Sequence, residues 1–267
     1  MKRKLGVLET QFFAYIQMRG LRTVRTGELA ASVLRLQPAQ ERKLLSRLSR
    51  GGLIARVRPG LFLVPPRLPL GGAWTPSEAA ALNALMADAQ GRYQICGANT
   101  FNRYGFDDQI PNRVYAYNNR ISGERKIGAV ELILIKVADE RLGDTETVTL
   151  PDGEQAVYAS RTRTLVDAVY DWSRFGGIPR GYEWIRRELK AKRVSAAELV
   201  RCTLRYGDTG TIRRMGLLLE RASVEVKWRR KLERALRPTN SLIPWIPTRP
   251  NRGTFNRRWG VVYNEPA

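Results

Sequence analysis

The sequence contains no histidine in its 267 residues. Imidazole is the side chain best suited to proton transfer near neutral pH, so its absence excludes catalytic triads and metal sites built on histidine. The two cysteines, Cys96 and Cys202, are unclustered, which predicts neither a disulfide framework nor a thiolate zinc site. We expect a protein that is not an enzyme, with no catalytic residues, no bound metal and no cofactor.

Long hydrophobic runs are also missing. A membrane-spanning helix needs roughly 18 consecutive apolar residues, whereas the best candidate, "AVELILIKV", contains Glu131 and Lys136. The basic N-terminus "MKRKLGVLETQFFAYIQMRG" is interrupted by Glu9, Gln11 and Gln17, which is not typical of a signal peptide. We therefore expect a soluble, cytoplasmic protein that makes no membrane contact.

Acidic residues are scarce relative to basic ones. The chain has 46 Lys and Arg against 25 Asp and Glu, a net charge of +21. The excess lies at the two ends, because residues 69–158 carry more acidic than basic side chains. Such a charge indicates a polyanionic partner, nucleic acid or an acidic membrane surface. Since we expect no membrane contact, nucleic acid is the partner expected here.

A Pro- and Gly-rich stretch, "VPPRLPLGGAWTPSE", is typical of a linker. It predicts a domain boundary between residues 1–66 and residues 75–267. Within the second domain, residues 75–158 show a mixed pattern of helices and β-branched or aromatic strands. Residues 159–267 are mainly helical and basic, with a last strand at "TFNRRWGVVYN". The predicted fold class is α+β.

Residues 1–64 have the periodicity of three helices followed by a hairpin. Apolar residues at spacings of three and four predict a first helix that stops at Gly20. A short extended piece and a brief second helix over residues 27–34 follow, and a third helix is predicted from Pro38 to Arg50. This order predicts a winged helix-turn-helix, whose third helix enters the major groove of DNA while the hairpin wing lies on the flanking backbone or minor groove.

The predicted third helix has one apolar and one polar face. At 100° per residue, Leu44, Leu45 and Leu48 share one face. The opposite face would be a solvated surface in most proteins, but in this order of elements it is predicted to bind DNA. Its candidate residues are Ala39, Gln40, Arg42, Lys43, Ser46, Arg47 and Arg50. Of these, Arg42, Lys43 and Ser46 are predicted to reach base edges.

The predicted wing is the stretch "RGGLIARVRPGLFLVP". Alternation places Arg56 and Arg58 on the same side of its first strand. Pro59 fixes φ near −65° and Gly60 suits a positive φ, so the two predict a tight type II turn. The two arginines are expected to contact DNA phosphates, which set affinity and register rather than sequence preference.

Four segments of the chain resemble the AbiEi family of antitoxins from type IV toxin–antitoxin and abortive-infection systems. They are "RPGLFLVP", "SRTRTLVDAV", "IRRMGLLLERA" and "RRWGVVYN", and they occur in the family's order across most of the chain. The wing match covers Arg56 and Arg58, and the helix match covers Arg213, Arg214, Gly216 and residues 217–220. Residues 95–158 match only loosely, so no functional residue is transferred there.

The resemblance implies an N-terminal winged helix-turn-helix followed by a C-terminal antitoxin domain. Such a protein is a transcriptional repressor of its own operon in phage defence, and inverted-repeat half-sites are expected in the double-stranded operator. It also implies a cognate toxin with a nucleotidyltransferase-like fold, with direct contact left open.

A second basic face is predicted in the C-terminal part. It comprises Arg213, Arg214, Lys227, Arg230, Lys231 and Arg234. Such a face is usually only solvated, but the charge of this segment favours a second polyanion contact, either more operator DNA or an RNA bound to the toxin.

Two alternative functions stay open. Asp107 or Asp108, followed by Glu124 and Lys126, has the order of a metal-dependent nuclease site, in which two carboxylates hold Mg²⁺ and lysine supports the attacking water. Alternatively, the protein is a plain winged-helix regulator whose second domain binds a ligand or forms a dimer.

Overall fold

The computed structural model describes residues 5–29, 34–68 and 73–265. They form two compact units. The first unit comprises Met1–Ile95, Asn112–Leu142 and Thr147–Val157, and the second comprises Cys96–Pro111, Gly143–Glu146 and Tyr158–Ala267. Helices and sheets occur in both units, so the predicted α+β class is confirmed.

The described elements of the N-terminal part of the first unit follow the predicted order of first helix, short strand, third helix and hairpin. Its elements are α1 (Val7–Arg19), β1 (Thr23–Arg25), α2 (Pro38–Arg50), β2 (Ala55–Arg58) and β3 (Leu61–Leu63). The first helix ends as expected at Gly20, which adopts a left-handed φ of 60°. Residues 26–29 form a turn, and residues 30–33 of the predicted second helix lie outside the described residues.

A three-stranded sheet closes this part. Its strand order is β1-β3-β2, and β3 is antiparallel to both neighbours. The apolar faces of α1 and α2 are buried together with residues of the hairpin, and the largest buried side chains include Phe12, Ile16, Leu44 and Leu48. The predicted apolar face of the third helix is therefore confirmed.

Most of the remaining residues of the first unit lie around a six-stranded sheet of order β6-β7-β5-β4-β9-β8. Its elements are α3 (Glu78–Asp88), β4 (Tyr93–Ile95), β5 (Val114–Asn118), β6 (Gly123–Ile127), β7 (Val130–Lys136), a 3₁₀ turn (Asp139–Arg141), β8 (Thr145–Thr149) and β9 (Gln155–Ala159). The neighbouring strands β5 and β7 are parallel, and β6 is antiparallel to β7. Ser77 caps α3 by accepting a hydrogen bond from Ala80 N at 3.1 Å.

The compact units do not divide at the predicted boundary between residues 66 and 75. Ion pairs join the N-terminal part to the sheet part within the first unit: Arg58 to Asp88 at 2.5 Å, and Arg22 to Glu154 at 3.9 Å. The central residues of the predicted linker, 69–72, lie outside the described residues. The N-terminal elements thus belong to a larger unit than the sequence pattern predicted.

The second unit is mainly helical. Its elements are α4 (Ala98–Arg103), α5 (Arg161–Tyr170), α6 (Trp172–Phe175), α7 (Arg180–Lys190), α8 (Ala196–Tyr206), α9 (Thr209–Arg221), α10 (Val226–Arg234), β10 (Ile243–Pro244), β11 (Thr254–Asn256) and β12 (Val261–Tyr263). Side-chain oxygens of Ser160, Ser195 and Asp208 cap α5, α8 and α9. The last strand predicted from sequence is a hairpin, β11 and β12, in a small sheet with β10.

Close packing joins α9 to the turn before β12. The indole of Trp259 lies against Gly216, where an added Cβ atom would be 2.2 Å from the ring. Trp259 Nε1 also donates to Glu220 Oε2 at 3.0 Å. Two of the four segments that suggested the family resemblance therefore pack directly against each other.

No helix among the described residues has the length and apolar character needed to cross a membrane.

We predict that Gly216→Ala destabilises the protein by at least about 1–3 kcal/mol, because the methyl group overlaps the Trp259 ring. Gly210→Ala in the same helix is the control, since its Cβ would approach only the Arg214 guanidinium, at 3.3 Å, and Asp208 Oδ1, at 3.5 Å. Urea denaturation followed by circular dichroism measures both variants. Equal free energies of unfolding for the two variants would contradict the prediction.

Candidate nucleic-acid interface

Helix α2 packs with one face in the core and presents the opposite face to solvent. Pro38 occupies the first turn, where it sacrifices no helical hydrogen bond, and Gln37 precedes it as the N-cap. Leu44, Leu45 and Leu48 are buried. The predicted DNA-binding residues of this helix are all exposed: Ala39, Gln40, Arg42, Lys43, Ser46, Arg47 and Arg50.

A buried carboxylate fixes the N-terminal turn of α2. Glu41 is fully buried, and its Oε1 accepts hydrogen bonds from Gly27 N at 2.9 Å and Leu29 N at 3.2 Å. An intramolecular hydrogen bond contributes a net of about 0.5–1.5 kcal/mol to stability. Glu41 therefore locks α2 to the turn that follows β1.

The turn of the hairpin has the backbone geometry that Pro59 and Gly60 predicted. Gly60 has a φ of +81°, the left-handed value that a type II turn requires after proline. Arg56 and Arg58 are both exposed, while Ala55 and Val57 are buried. The pairing register with β3 shifts between the two arginines, as at a β-bulge, and the alternation of buried and exposed side chains is kept.

A groove of about 490 Å³ runs between α2 and the hairpin. It is lined by Thr26, Arg42, Leu45, Ser46, Ser49, Arg50, Arg56, Gly60 and Phe62. Three of these are exposed arginines, Arg42, Arg50 and Arg56, and none of the three has a carboxylate partner among the described residues. Uncompensated guanidinium groups in a concave surface attract and orient anions.

Two other predicted residues are already engaged within the first unit. Arg47 Nε lies 2.9 Å from Glu9 Oε1. Arg58 donates two hydrogen bonds to Asp88, from Nε at 2.5 Å and from Nη2 at 2.7 Å. Its hydrogen bonds to Asp88 raise the pKa of Arg58 and lower that of Asp88. Arg56 and Arg58 were expected to act alike, but they differ in the structure. Arg56 lines the groove, whereas Arg58 is paired with Asp88.

The predicted second basic face consists of two different groups. Lys227, Arg230, Lys231 and Arg234 are exposed on α10, and the ammonium groups of Lys227 and Lys231 lie 5.4 and 4.6 Å from the Trp228 ring centre. Arg213 and Arg214 are buried, so the prediction of an exposed contact is wrong for these two. Burial lowers the pKa of both guanidinium groups.

The buried arginines hold the C-terminal segment. Arg213 donates to the carbonyl oxygens of Trp259 at 2.7 Å and Gly260 at 2.6 Å, and also to that of Ser241. Arg214 donates to Pro244 O at 3.3 Å. No local sequence pattern indicated this role, because a buried arginine on α9 has the same spacing as an exposed one.

The alternative nuclease residues are not brought together as a metal site. Asp107 Oδ2 lies 2.6 Å from Arg180 Nη1, and Lys126 Nζ lies 3.3 Å from Glu131 Oε1. Glu124 pairs with Arg113 at 3.3 Å. Over residues 5–29, 34–68 and 73–265, no three acidic or cysteine side chains cluster as metal ligands do.

Sequence reasoning missed four residues around the groove: Thr26, Ser49, Arg25 and Asp88. Thr26 and Ser49 line it, and Arg25 lies 3.0 Å from Asp88. The charge of Arg25 was visible in the sequence, but its partner lies on a helix 63 residues later in the chain. No local pattern predicts such a contact.

Comparison with known proteins shows a similarity in fold and no match to a known family. No model of a known family matches the chain, and no curated protein matches it. The chain is similar in structure to a crystal structure of the RV2827C protein from Mycobacterium tuberculosis, with a TM-score of 0.60 and 15% sequence identity. The match covers 97% of this chain and 92% of that chain. At this identity the similarity concerns the fold.

We predict that Arg213→Ala lowers the free energy of unfolding by about 3 kcal/mol, because it removes the donor of hydrogen bonds to the carbonyl oxygens of Trp259, Gly260 and Ser241. Arg230→Ala, which removes an exposed arginine of α10, is the control and should change it by less than about 0.5 kcal/mol. Thermal and urea unfolding measure both. If Arg213→Ala is as stable as Arg230→Ala, Arg213 is not a structural residue.

Proposed function

We propose that this protein is a double-stranded DNA-binding repressor that regulates its own toxin–antitoxin operon and acts as the antitoxin. The observation that carries the DNA-binding part is the groove between α2 and the hairpin, with Arg42, Arg50 and Arg56 exposed and uncompensated. In this proposal the N-terminal elements act as a winged helix-turn-helix.

The dimensions of the elements suit this assignment. Helix α2 is 13 residues long, and an α-helix fits the major groove of B-DNA, which is about 12 Å wide. Its exposed face presents Arg42 and Ser46, side chains that hydrogen-bond to base edges. The stiff Pro59–Gly60 turn presents Arg56 beside it for a backbone phosphate.

The charge distribution also supports DNA as the partner. Residues 1–68 carry 14 basic and 3 acidic side chains, and their summed positive potential attracts a polyanion before direct contacts form. The exposed face of α10 adds four more cations in the second unit, which we assign to a further nucleic-acid contact, DNA or RNA.

The antitoxin part of the proposal depends on the resemblance to AbiEi proteins. It is supported by the order of the four matching segments and by the packing of two of them, at Gly216 and Trp259, within one unit. The partner is a cognate toxin with a nucleotidyltransferase-like fold. The expected system is type IV abortive infection, and the expected location is the cytoplasm.

DNA binding is tested with the duplex upstream of the protein's own gene and with an unrelated duplex of equal length. Arg56→Ala should lower the slope of log K against log salt by about 0.9 on both duplexes, since one phosphate contact is lost. Arg42→Ala should cost about 1–3 kcal/mol on the upstream duplex and less on the unrelated one.

Arg125→Ala is the matched control, because it removes an exposed arginine of β6 outside the groove. Gel shifts over a salt series measure all variants. Unchanged slopes for Arg56→Ala, or equal losses for Arg125→Ala, would show that the groove is not the DNA interface.

Antitoxin activity is tested with the full chain, since the N-terminal elements share a unit with the central sheet. Arg42→Ala combined with Arg56→Ala should repress a reporter poorly and yet protect cells that express the adjacent toxin gene. Survivor counts measure protection, and reporter activity measures repression. If the variant fails to protect while the toxin gene has a promoter of its own, protection requires the DNA interface.

A further inference from the structure

Two arginines of the N-terminal part converge on one carboxylate. Arg58 binds Asp88 in bidentate fashion at 2.5 and 2.7 Å, and Arg25 Nη2 lies 3.0 Å from Asp88 Oδ1. The Asp88 side chain is 13% exposed, while those of Arg25 and Arg58 are 51% and 44% exposed. The arginines therefore remain open to solvent on the side away from the carboxylate.

This cluster lies beside the groove. Arg58 Nη1 is 3.9 Å from the point where Gly60 would carry a Cβ atom, and Gly60 lines the groove. Thr26, the neighbour of Arg25, also lines it and donates from its backbone N–H to Gly60 O at 2.9 Å. Arg25 and Arg58 are thus held at the rim of the surface proposed to bind DNA.

A phosphate group can replace the carboxylate in this geometry. Arginine binds carboxylates and phosphates through the same pair of parallel N–H···O bonds. The hydrogen bonds from Arg58 hold the pKa of Asp88 below its ordinary value, so the carboxylate is charged at neutral pH. It therefore competes with an incoming phosphate for both guanidinium groups.

We infer that Arg25 and Arg58 form a binding site for a backbone phosphate of DNA, and that Asp88 occupies this site in the free protein. The inference rests on the proposed DNA-binding function and names one phosphate site of that interface together with its competitor. When the phosphate replaces Asp88, the two negative charges remain close and repel each other, which weakens binding. The contact is to the backbone, so Asp88 lowers affinity for all sequences alike.

The variant Asp88→Asn removes the competing charge and keeps the side-chain shape. We expect it to bind random-sequence duplex DNA about three- to tenfold more tightly than the wild type at about 0.1 M salt, with a salt slope larger by about 0.9 for each phosphate gained. Adding Arg58→Ala to Asp88→Asn should abolish this gain.

Asp139→Asn is the matched control. Asp139 accepts a hydrogen bond from Arg92 Nη2 at 2.6 Å, is exposed and lies in the same unit, so the substitution makes the same change in total charge. It should bind DNA as the wild type does. Fluorescence anisotropy of the full chain over a salt series measures every variant, and circular dichroism confirms folding. If Asp88→Asn does not fold, Asp88→Ser takes its place with the same expectation.

The outcomes separate the two proposals. If wild-type protein binds duplex DNA and Asp88→Asn binds it equally or more weakly, the inference is overturned and Asp88 only anchors the hairpin. An equal gain in Asp139→Asn also overturns it, because total charge would then be the cause. If the wild type binds no duplex DNA, the proposed function itself fails, and the inference fails with it.

Discussion

Burial of the leucine face of α2 determines which side chains of this helix face the candidate interface. Each of Leu44, Leu45 and Leu48 is almost inaccessible to solvent, and burying such a side chain contributes about 1.5–3 kcal/mol. Turning α2 by one residue would rotate it by 100° and expose part of this face. The exposed side of the helix is therefore determined by the core, and Glu41 adds a fixed attachment at its first turn.

The arginines of this chain differ in role because their partners differ. Arg213 is buried and binds carbonyl groups, which makes it a structural residue of the second unit. Arg58 is exposed but pairs with a carboxylate, so much of its charge is neutralised. Arg56, two residues away, has no such partner among the described residues and lines a groove. Net charge therefore overestimates how much positive charge is available to a polyanion.

In the second unit, the segments that resemble AbiEi proteins serve packing. Gly216 is required because the Trp259 ring occupies the space of a side chain, and Glu220 accepts a hydrogen bond from the same indole. Arg213 donates to the carbonyl oxygens of that tryptophan and of the following residue, Gly260. These residues explain why α9 and the last hairpin hold together. They do not by themselves form a surface for a partner.

The sequence alone predicted α1, α2 and the turn of the hairpin, because local rules control them. The predicted second helix begins in a turn at residues 26–29, and residues 30–33 lie outside the described residues. The leucine spacing predicted the buried face of α2, and Pro59 with Gly60 predicted the turn. Strand β6 is not predictable from periodicity, since four of its five residues are exposed and show no apolar alternation. The tertiary structure decided the division into units, the burial of Arg213 and the pairing of Arg58 with Asp88. Those contacts join residues 30 or more positions apart, and a side chain's charge is visible in a sequence whereas its partner across the fold is not.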